Sequence, residues 1–236
     1  MSYVRGLRAL ALSITMVLGL MAFMAGGAHA NWLVLHNGVV VEPDVTLSAK
    51  THKDFTMLIP AQNLEILCKT IEADPTAPIL LLEKSTIGHG HLIISACETF
   101  VKKVLSAGCK PIEPILVGGL TELILHNLKN YLLYKPLTGK PFTTIFFNPA
   151  KCALAEENEV TGSLVFECGK LEPANTFVNV DCKTHEVTHL MQQAPAALFP
   201  SHVFKFGLNP ASLDGIVSTA IEGPALYKGD AWGGHI

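Results

Sequence analysis

After residue 30 the chain is divided into short apolar, β-branched and aromatic runs, and turn-forming residues separate these runs. The run "NLEILCKTI" alternates with a period of two, which places Leu64, Ile66 and Cys68 on one face of a strand. In "WLVLHNGVVV", Asn37-Gly38 stands between two β-rich arms, the strongest short signal for a hairpin. A chain built from many short strands folds as a β-sandwich or a barrel. We therefore expect an all-β fold, a β-sandwich or barrel-like domain stabilised by disulfides.

Further strands and turns are predicted along the whole chain. The additional strand-like runs are "DFTMLIP", "PILLLE", "HLIISACETF", "PFTTIFF", "EVTGSLVFEC", "HVFKFG" and "GIVSTAIEG". The predicted turns lie at Asp74-Pro75, Leu137–Pro141, Asn148-Pro149, Asn209-Pro210 and Asp214-Gly215, and "ALAEENE" (Ala153–Glu159) is predicted to be an acidic loop.

One segment is ambiguous. The stretch Leu120–Lys135 fits a helix capped at Thr121, and it also fits two short strands, Leu123–Leu125 and Tyr131–Tyr134. We favour the strands, because the neighbouring segments are strands and Pro136 closes the stretch.

The first thirty residues have the pattern of a secretory signal peptide. Arg5 and Arg8 precede an almost continuous apolar run from Ala9 to Gly26, and Ala28-His29-Ala30 is an A-x-A cleavage site. We expect cleavage after residue 30, with an uncleaved anchor as the alternative. Residues 31–236 would then form the mature β-rich domain, with a division into two subdomains, about 31–110 and 111–236, as the alternative.

The cysteine pattern is consistent with export. All six cysteines follow residue 30, and none of their spacings is C-x-x-C. An even number of cysteines in an exported chain predicts disulfides, here up to three with the pairing open, while free or catalytic thiols are the alternative. The six predicted disulfide residues are Cys68, Cys97, Cys109, Cys152, Cys168 and Cys182.

Charge and hydropathy exclude some partners. The net charge of −3 is close to neutral and gives no indication of nucleic-acid binding. No segment of the mature chain reaches the roughly 18 uncharged apolar residues that a membrane-spanning helix needs. The partner is therefore left unknown, and the expected location is secreted or periplasmic.

Three features together resemble a loose group of exported bacterial proteins that are rich in strands and cysteine. These features are Trp32 before the tight turn at Gly38, the single spaced cysteines, and "CALAEENEVTGSLVFEC" (Cys152–Cys168). The resemblance extends over most of the mature chain and implies an all-β fold. It implies no activity and no site.

The stretch "HEVTHLM" contains the strongest candidate for catalysis. His185-Glu186-x-x-His189 has the spacing of zinc peptidases and resembles their active-site helix over these few residues. On a helix, both imidazoles would lie on one face and bind one Zn²⁺, while Glu186 would act as general base on the bound water.

Two observations weigh against a zinc site there. The extended motif would need Gly at 192 and His at 195, where the chain has Gln192 and Pro195. The preceding residues also alternate as a strand, with Val178, Val180 and Cys182 on one face. On a strand the two histidines would lie about 13 Å apart, too far to share an ion.

The second histidine cluster is "GHGH" (Gly88–His91). We expect a glycine-rich turn leading into the next strand, and the alternative is an exposed metal site in which His89 and His91 share a strand face about 7 Å apart. The aromatic residues are expected mainly in the core: Trp32, Trp232, Tyr131, Tyr134, Phe146 and Phe147.

The sequence favours an exported, non-enzymatic β-protein that binds a partner or small ligand, or acts structurally, without a cofactor. The alternative is a small zinc-dependent hydrolase with His185 and His189 as ligands and Glu186 as base. Motifs for a serine nucleophile, a phosphate-binding loop or a dinucleotide site do not occur in the sequence.

Overall fold

The computed structural model describes residues 31–126, 129–137, 141–168, 189–193, 199 and 203–235. The predicted signal peptide lies outside these residues. The described residues form an all-β fold, as the sequence predicted. The strands are β1 (Asn31–His36), β2 (Val39–Val41), β3 (Val45–Ile59), β4 (Leu64–Ala73), β5 (Ile79–Leu81), β6 (Ile87–Val101), β7 (Val104–Leu105), β8 (Ile115–His126), β9 (Lys129–Lys135), β10 (Thr143–Phe146), β11 (Glu157–Thr161), β12 (Leu164–Cys168), β13 (His189–Gln193), β14 (Lys205–Phe206), β15 (Asn209–Pro210), β16 (Ser212–Gly223) and β17 (Ala231–His235).

Two short 3₁₀ turns, Pro60–Gln62 and Ala107–Cys109, are the only helical segments among the described residues. No helix in this part of the chain has the length and apolar character needed to cross a membrane.

Eight strands form a ring of antiparallel pairs. Hydrogen bonding runs in the order β16, β13, β12, β9, β8, β6, β4 and β3, and β3 pairs in turn with β16. The β3–β16 register extends from Thr46 opposite Gly223 to Leu58 opposite Ser212. The order of paired strands therefore returns to the strand from which it began, and we call these eight strands the strand ring.

Strands β4 and β5 act as one interrupted strand of this ring. Both pair with β3 on one side and with β6 on the other. Between Ala73 opposite Leu92 and Leu80 opposite His89, the β4–β5 side has four more residues than β6. The extra residues leave the sheet as a loop, residues 74–78, that contains the predicted Asp74-Pro75 turn.

A three-stranded sheet joins the two ends of the described chain, in the order β17-β1-β2. Asn37 and Gly38 connect β1 to β2 with positive φ angles of 49° and 79°, which confirms the predicted hairpin. The sheet buries Trp32 against Trp232, with ring centroids 6.0 Å apart. Both indoles pack against one group of apolar side chains from the strand ring, including Val45 and Leu123.

A four-stranded sheet, in the order β10-β11-β14-β15, covers another part of the ring. Phe206 of β14, and Phe147 directly after β10, belong to the same buried cluster as Ile59 and Leu64. The alternation predicted for β4 is confirmed, because Leu64, Ile66 and Cys68 are all buried. The core is therefore made from the inward face of the ring and the sheets that cover it.

The ambiguous segment is a hairpin of two strands. β8 pairs with β9 from Leu120 opposite Lys135 to His126 opposite Lys129, so both strands are longer than predicted. The helical alternative is wrong at these positions. Leu123 and Leu132 are buried opposite one another, and β9 buries both of its faces, since Tyr131–Tyr134 are all buried.

Several predicted turns are wrong or displaced. Asp214-Gly215 lies inside β16, where the β3 register shifts, because pairing to β3 continues through it as a bulge. A Cβ atom on Gly215 would lie 2.7 Å from the Phe55 ring, so the glycine allows a close contact and does not end the strand. The turn expected at Asn209-Pro210 instead occupies residues 207–208, and Asn209–Pro210 is β15.

Two other predictions also need correction. Glu157 to Glu159 belong to β11, so the acidic loop is shorter than predicted. Asn158 is buried there and donates a hydrogen bond to the carbonyl of Ala155. Phe146 is 41% exposed and lies outside the core in which it was expected.

Two disulfides connect parts of the core. Cys68 of β4 bonds Cys97, its direct partner on β6, and Cys109 bonds Cys152. Cys168 ends β12 opposite Met191, and Cys182 lies outside the described residues.

Removing either disulfide is expected to destabilise the fold. The bonds close loops of 29 and 43 residues, for which the chain-entropy model gives about 3.5–4 kcal/mol. We expect C68A/C97A and C109A/C152A each to lose about 2–4 kcal/mol of unfolding free energy in urea titrations. Non-reducing peptide mapping is the control. Peptides that link Cys68 to Cys109 would contradict the pairing.

The segment that leads from β16 to β17 is held by an ion pair at the surface. The Lys228 ammonium lies 2.8 Å from a carboxylate oxygen of Glu222. This hydrogen bond, with smaller contributions from the Lys228 charge and Ser48, holds the pKa of Glu222 below its usual value.

The Glu222 pair predicts a small acid-dependent term in stability. A carboxyl group whose pKa is lowered by folding stabilises the fold above its unfolded pKa, and that stabilisation is lost as pH falls through the folded pKa. We expect E222Q to be less stable than the wild type at pH 7 by about 0.2–1 kcal/mol, as for exposed ion pairs. The difference in unfolding free energy should shrink in urea titrations as pH falls through the folded pKa of Glu222. A difference that stays constant with pH would contradict this cause.

Candidate functional site

An apolar cavity of about 140 Å³ lies inside the strand ring. Seven of the eight ring strands contribute to its wall, and the side chains of the eighth, β13, are not among those described. Residues of β10 and β11 close it further. The lining includes Phe55, Met57, Leu92, Leu132, Tyr134 and Phe142.

The composition of the wall follows from strand alternation. Inward positions of β6, β8 and β9 bear Leu92, Val117 and Leu132, while charged side chains on β8 and β9 face outward. Lys135 of β9, for example, bonds the Glu122 carboxylate on the outer face. The cavity surface is therefore hydrocarbon, and charged ligands would lose their hydration there without compensation.

Tyr134 forms the most distinctive part of the wall. Its ring stacks on Phe142 with centroids 5.0 Å apart and crosses Gly119, where a Cβ atom would lie 2.5 Å from the ring. Gly119 is thus needed for the ring to lie inward. Thr121 is the cross-strand partner of Tyr134 and also lines the cavity.

The hydroxyls of Tyr134 and Thr121 are buried, and neither has a hydrogen-bond partner among the described residues. Burial raises the pKa of the Tyr134 phenol, so the group is neutral at physiological pH. An unpaired buried hydroxyl costs about 1–3 kcal/mol. The two hydroxyls therefore lower the stability of the fold relative to a cavity wall made of hydrocarbon alone.

The volume is similar to that of known dry cavities. An engineered cavity of about 150 Å³ lined by Leu, Ile and Phe stays dry and binds benzene or xenon. The cavity in the strand ring has similar volume and chemistry, so it can hold a compact apolar molecule of about the size of benzene.

A second concave region lies on the outer face of the ring, beside the loop 74–78. This histidine groove has a volume of about 420 Å³ and is lined by Thr46, Ala77, Pro78, Leu80, His89, Gly90, His91, Gly119, Leu120 and Leu137. The turn predicted at Gly88–His91 is wrong, because these four residues lie within β6. Continuous pairing with β8 keeps the segment extended, from Ile87 opposite Glu122 onward.

Asp74 holds the loop beside this groove through hydrogen bonds to its carboxylate. Its Oδ1 accepts hydrogen bonds from the Thr76 hydroxyl at 2.7 Å and the Thr76 amide at 2.8 Å. These bonds hold the pKa of Asp74 below its usual value, with a smaller contribution from the nearby His91. The backbone of the loop is bonded to His91 on both sides, through the Asp74 amide at 2.9 Å and the Ala77 carbonyl at 3.0 Å.

The zinc motif is only partly covered by the described residues. His185 and Glu186 lie outside them, while His189 begins β13 and pairs with Thr219 of β16. The described part of the stretch, from His189 onward, is a strand, while the alternating residues Val178, Val180 and Cys182 lie outside the described residues. Among the described residues, no group of three or more His, Cys, Asp or Glu could hold a metal ion.

The sequence identified individual wall residues as core but did not predict the cavity. Tyr134 was expected in the core, and it is buried there. The inward positions of each strand can be found from alternation. The order in which the strands surround a common space depends on the long-range pairing of β3 with β16, for which the sequence has no local signal.

Comparisons with known proteins did not relate the chain to any of them. No protein-family model matches the chain, and neither a curated protein nor a solved structure does. The site must therefore be judged from its own geometry.

The unpaired Tyr134 hydroxyl gives a direct test of the cavity wall. Y134F removes the hydroxyl but keeps the ring on Gly119 and Phe142, so the unfolding free energy should stay the same or rise by about 1 kcal/mol. Y134A removes the ring as well and should cost about 3–5 kcal/mol. Urea titrations measure both. A loss above 1 kcal/mol in Y134F would show that the hydroxyl has a partner.

Proposed function

We propose that this protein is an exported, non-enzymatic binding protein that holds a small apolar molecule inside the strand ring. The cavity of about 140 Å³ carries this proposal, because its wall is formed by inward side chains of seven ring strands. Binding would be driven by transfer of apolar surface out of water.

We further propose that the strand ring is a barrel and not a sandwich. The pairing of β16 with both β13 and β3 supports this, because two separate sheets would leave unpaired edges between them. A small barrel is filled by side chains or holds one small ligand. A barrel covered by β17-β1-β2 and by β10-β11-β14-β15 would enclose the cavity.

Export is supported by two independent features. Residues 1–30 have the pattern of a signal peptide, and Cys68–Cys97 and Cys109–Cys152 are disulfide-bonded. Disulfides persist in oxidising compartments. Both features support the proposed secreted or periplasmic location.

The zinc-hydrolase alternative rests on the spacing of His185, Glu186 and His189 and stays a prediction. His189 lies in β13, and strand geometry separates residues four apart by about 13 Å. The apolar cavity wall, by contrast, has no group among the described residues that would change charge near neutral pH. Binding without chemistry is therefore the function that the described geometry supports best.

Filling the cavity should abolish binding of apolar probes. Ala49 is buried and lines the cavity, so A49L would occupy part of the space with three added carbons. We expect the wild type to bind benzene with a Kd on the order of 1 mM or lower, measured by shifts of methyl NMR signals. A49L should remain folded and lose this binding.

Two further variants make the result decisive. V117L adds one carbon to the cavity wall and should weaken benzene binding if A49L does not fold. A61L adds the same carbons as A49L at an exposed position and should bind like the wild type. A wild type that binds neither benzene nor toluene, or a folded A49L that binds like the wild type, would refute the proposal.

A further inference from the structure

We propose that His89 and His91 form a binding site for a divalent transition-metal ion in the histidine groove, with Cu²⁺ preferred. The site is on the outer face of β6 and does not depend on the function of the interior cavity. Imidazole is a good ligand for copper, nickel and zinc, and Cu²⁺ stands highest in the general order of affinities.

The strand conformation brings the two imidazoles to one face. Gly88 and Gly90 are buried on the inner face of β6, while His89 is exposed and His91 is half-buried on the outer face. Two residues along a strand separate the Cα atoms by about 6.6 Å. Metal–nitrogen bonds of about 2.0 Å require the ligating nitrogens to approach within about 3–4 Å, which side chains leaning towards each other from this separation can achieve.

Glycines on β8 keep the space around the histidines open. His91 pairs with Gly118, and a Cβ atom on Gly118 would lie 3.0 Å from Cδ2 and Nε2 of His91. The imidazole therefore lies over the bare backbone of β8. Gly119 adds to the floor of the groove, so an ion and its waters have room beside the rings.

Both imidazoles are available as ligands. Neither ring donates or accepts a hydrogen bond within the part of the chain that the structure describes. His36 provides the contrast, since its Nδ1 lies 2.6 Å from an Asp230 carboxylate oxygen and its Nε2 lies 3.0 Å from the Asn37 amide nitrogen. A histidine with both nitrogens engaged would have to break these contacts to bind metal.

The loop 74–78 places a negative charge beside the proposed metal site and holds the backbone of His91 in position. The Asp74 amide donates a hydrogen bond to the His91 carbonyl, and the Asp74 carboxylate is held by Thr76 in the same loop beside the groove. Its negative charge favours a cation beside His91. The two backbone bonds between the loop and His91 fix the backbone of this ligand, which lowers the entropy lost on binding.

Two protein ligands leave the other coordination positions to water or to small exogenous ligands. No third His, Cys, Asp or Glu completes the site among the described residues. The site is therefore open, and Mg²⁺ should not bind, because it prefers oxygen ligands in an octahedral arrangement.

Calorimetry with untagged protein tests the site, since a polyhistidine tag would itself bind the ions. We expect one equivalent of Cu²⁺ to bind, Ni²⁺ and Zn²⁺ to bind more weakly, and Mg²⁺ not to bind. H89A and H91A should each weaken Cu²⁺ binding at least about tenfold, and H89A/H91A should abolish it. The matched controls H36A and H52A should bind like the wild type.

Two further measurements locate the ion. Paramagnetic Cu²⁺ should broaden backbone NMR signals of residues 88–92 and 118–120 before others. G118V should weaken binding at least about tenfold, because its side chain would displace the His91 ring. The proposal is overturned if H89A/H91A binds Cu²⁺ like the wild type, or if binding is lost only in H185A/H189A.

Discussion

The pairing of β3 with β16 is the interaction on which the rest of the structure depends. It joins Thr46–Leu58 to Ser212–Gly223, segments more than 150 residues apart in the chain. Without it, the outer strands of the large sheet would present unpaired N–H and C=O groups. With it, the inward faces of the ring strands surround a common space, and the core and the cavity follow from that arrangement.

Pairing between strands distant in the sequence also explains which turn predictions failed. Asp-Gly is a strong local turn signal, but at Asp214-Gly215 it lies within a long strand whose hydrogen bonds to β3 continue on both sides. A bulge allows the Asp-Gly pair to lie within the strand, since it interrupts the ladder of hydrogen bonds locally and does not end the strand. Gly88–His91 was mistaken for a turn for the same reason, because glycine weakens a strand locally but paired neighbours hold it extended.

Local features were predictable where the physics is local. The Asn37-Gly38 hairpin needs only two residues that tolerate positive φ, and the burial of Leu64, Ile66 and Cys68 needs only alternation. The candidate sites differ in this respect. Two histidines two residues apart share a face on any strand, so the spacing allowed a metal site there as an alternative, although a turn was expected at these residues. The cavity requires seven strands in a particular order, and no short stretch of sequence records that order.

The two candidate sites lie on opposite faces of β6, where Gly90 lines the interior cavity and His89 and His91 line the histidine groove. Gly88 and Gly90 face inward, where a Cβ atom on Gly90 would lie 2.5 Å from the Ile79 Cα atom of β5. The absence of these side chains lets β5 lie against β6 and keeps Leu80 paired with His89. The outward histidines thus depend on inward glycines, since displacing β5 would also move the wall of the histidine groove that Leu80 forms. Glycine at these positions therefore serves the closed packing inside the ring and the open groove outside it.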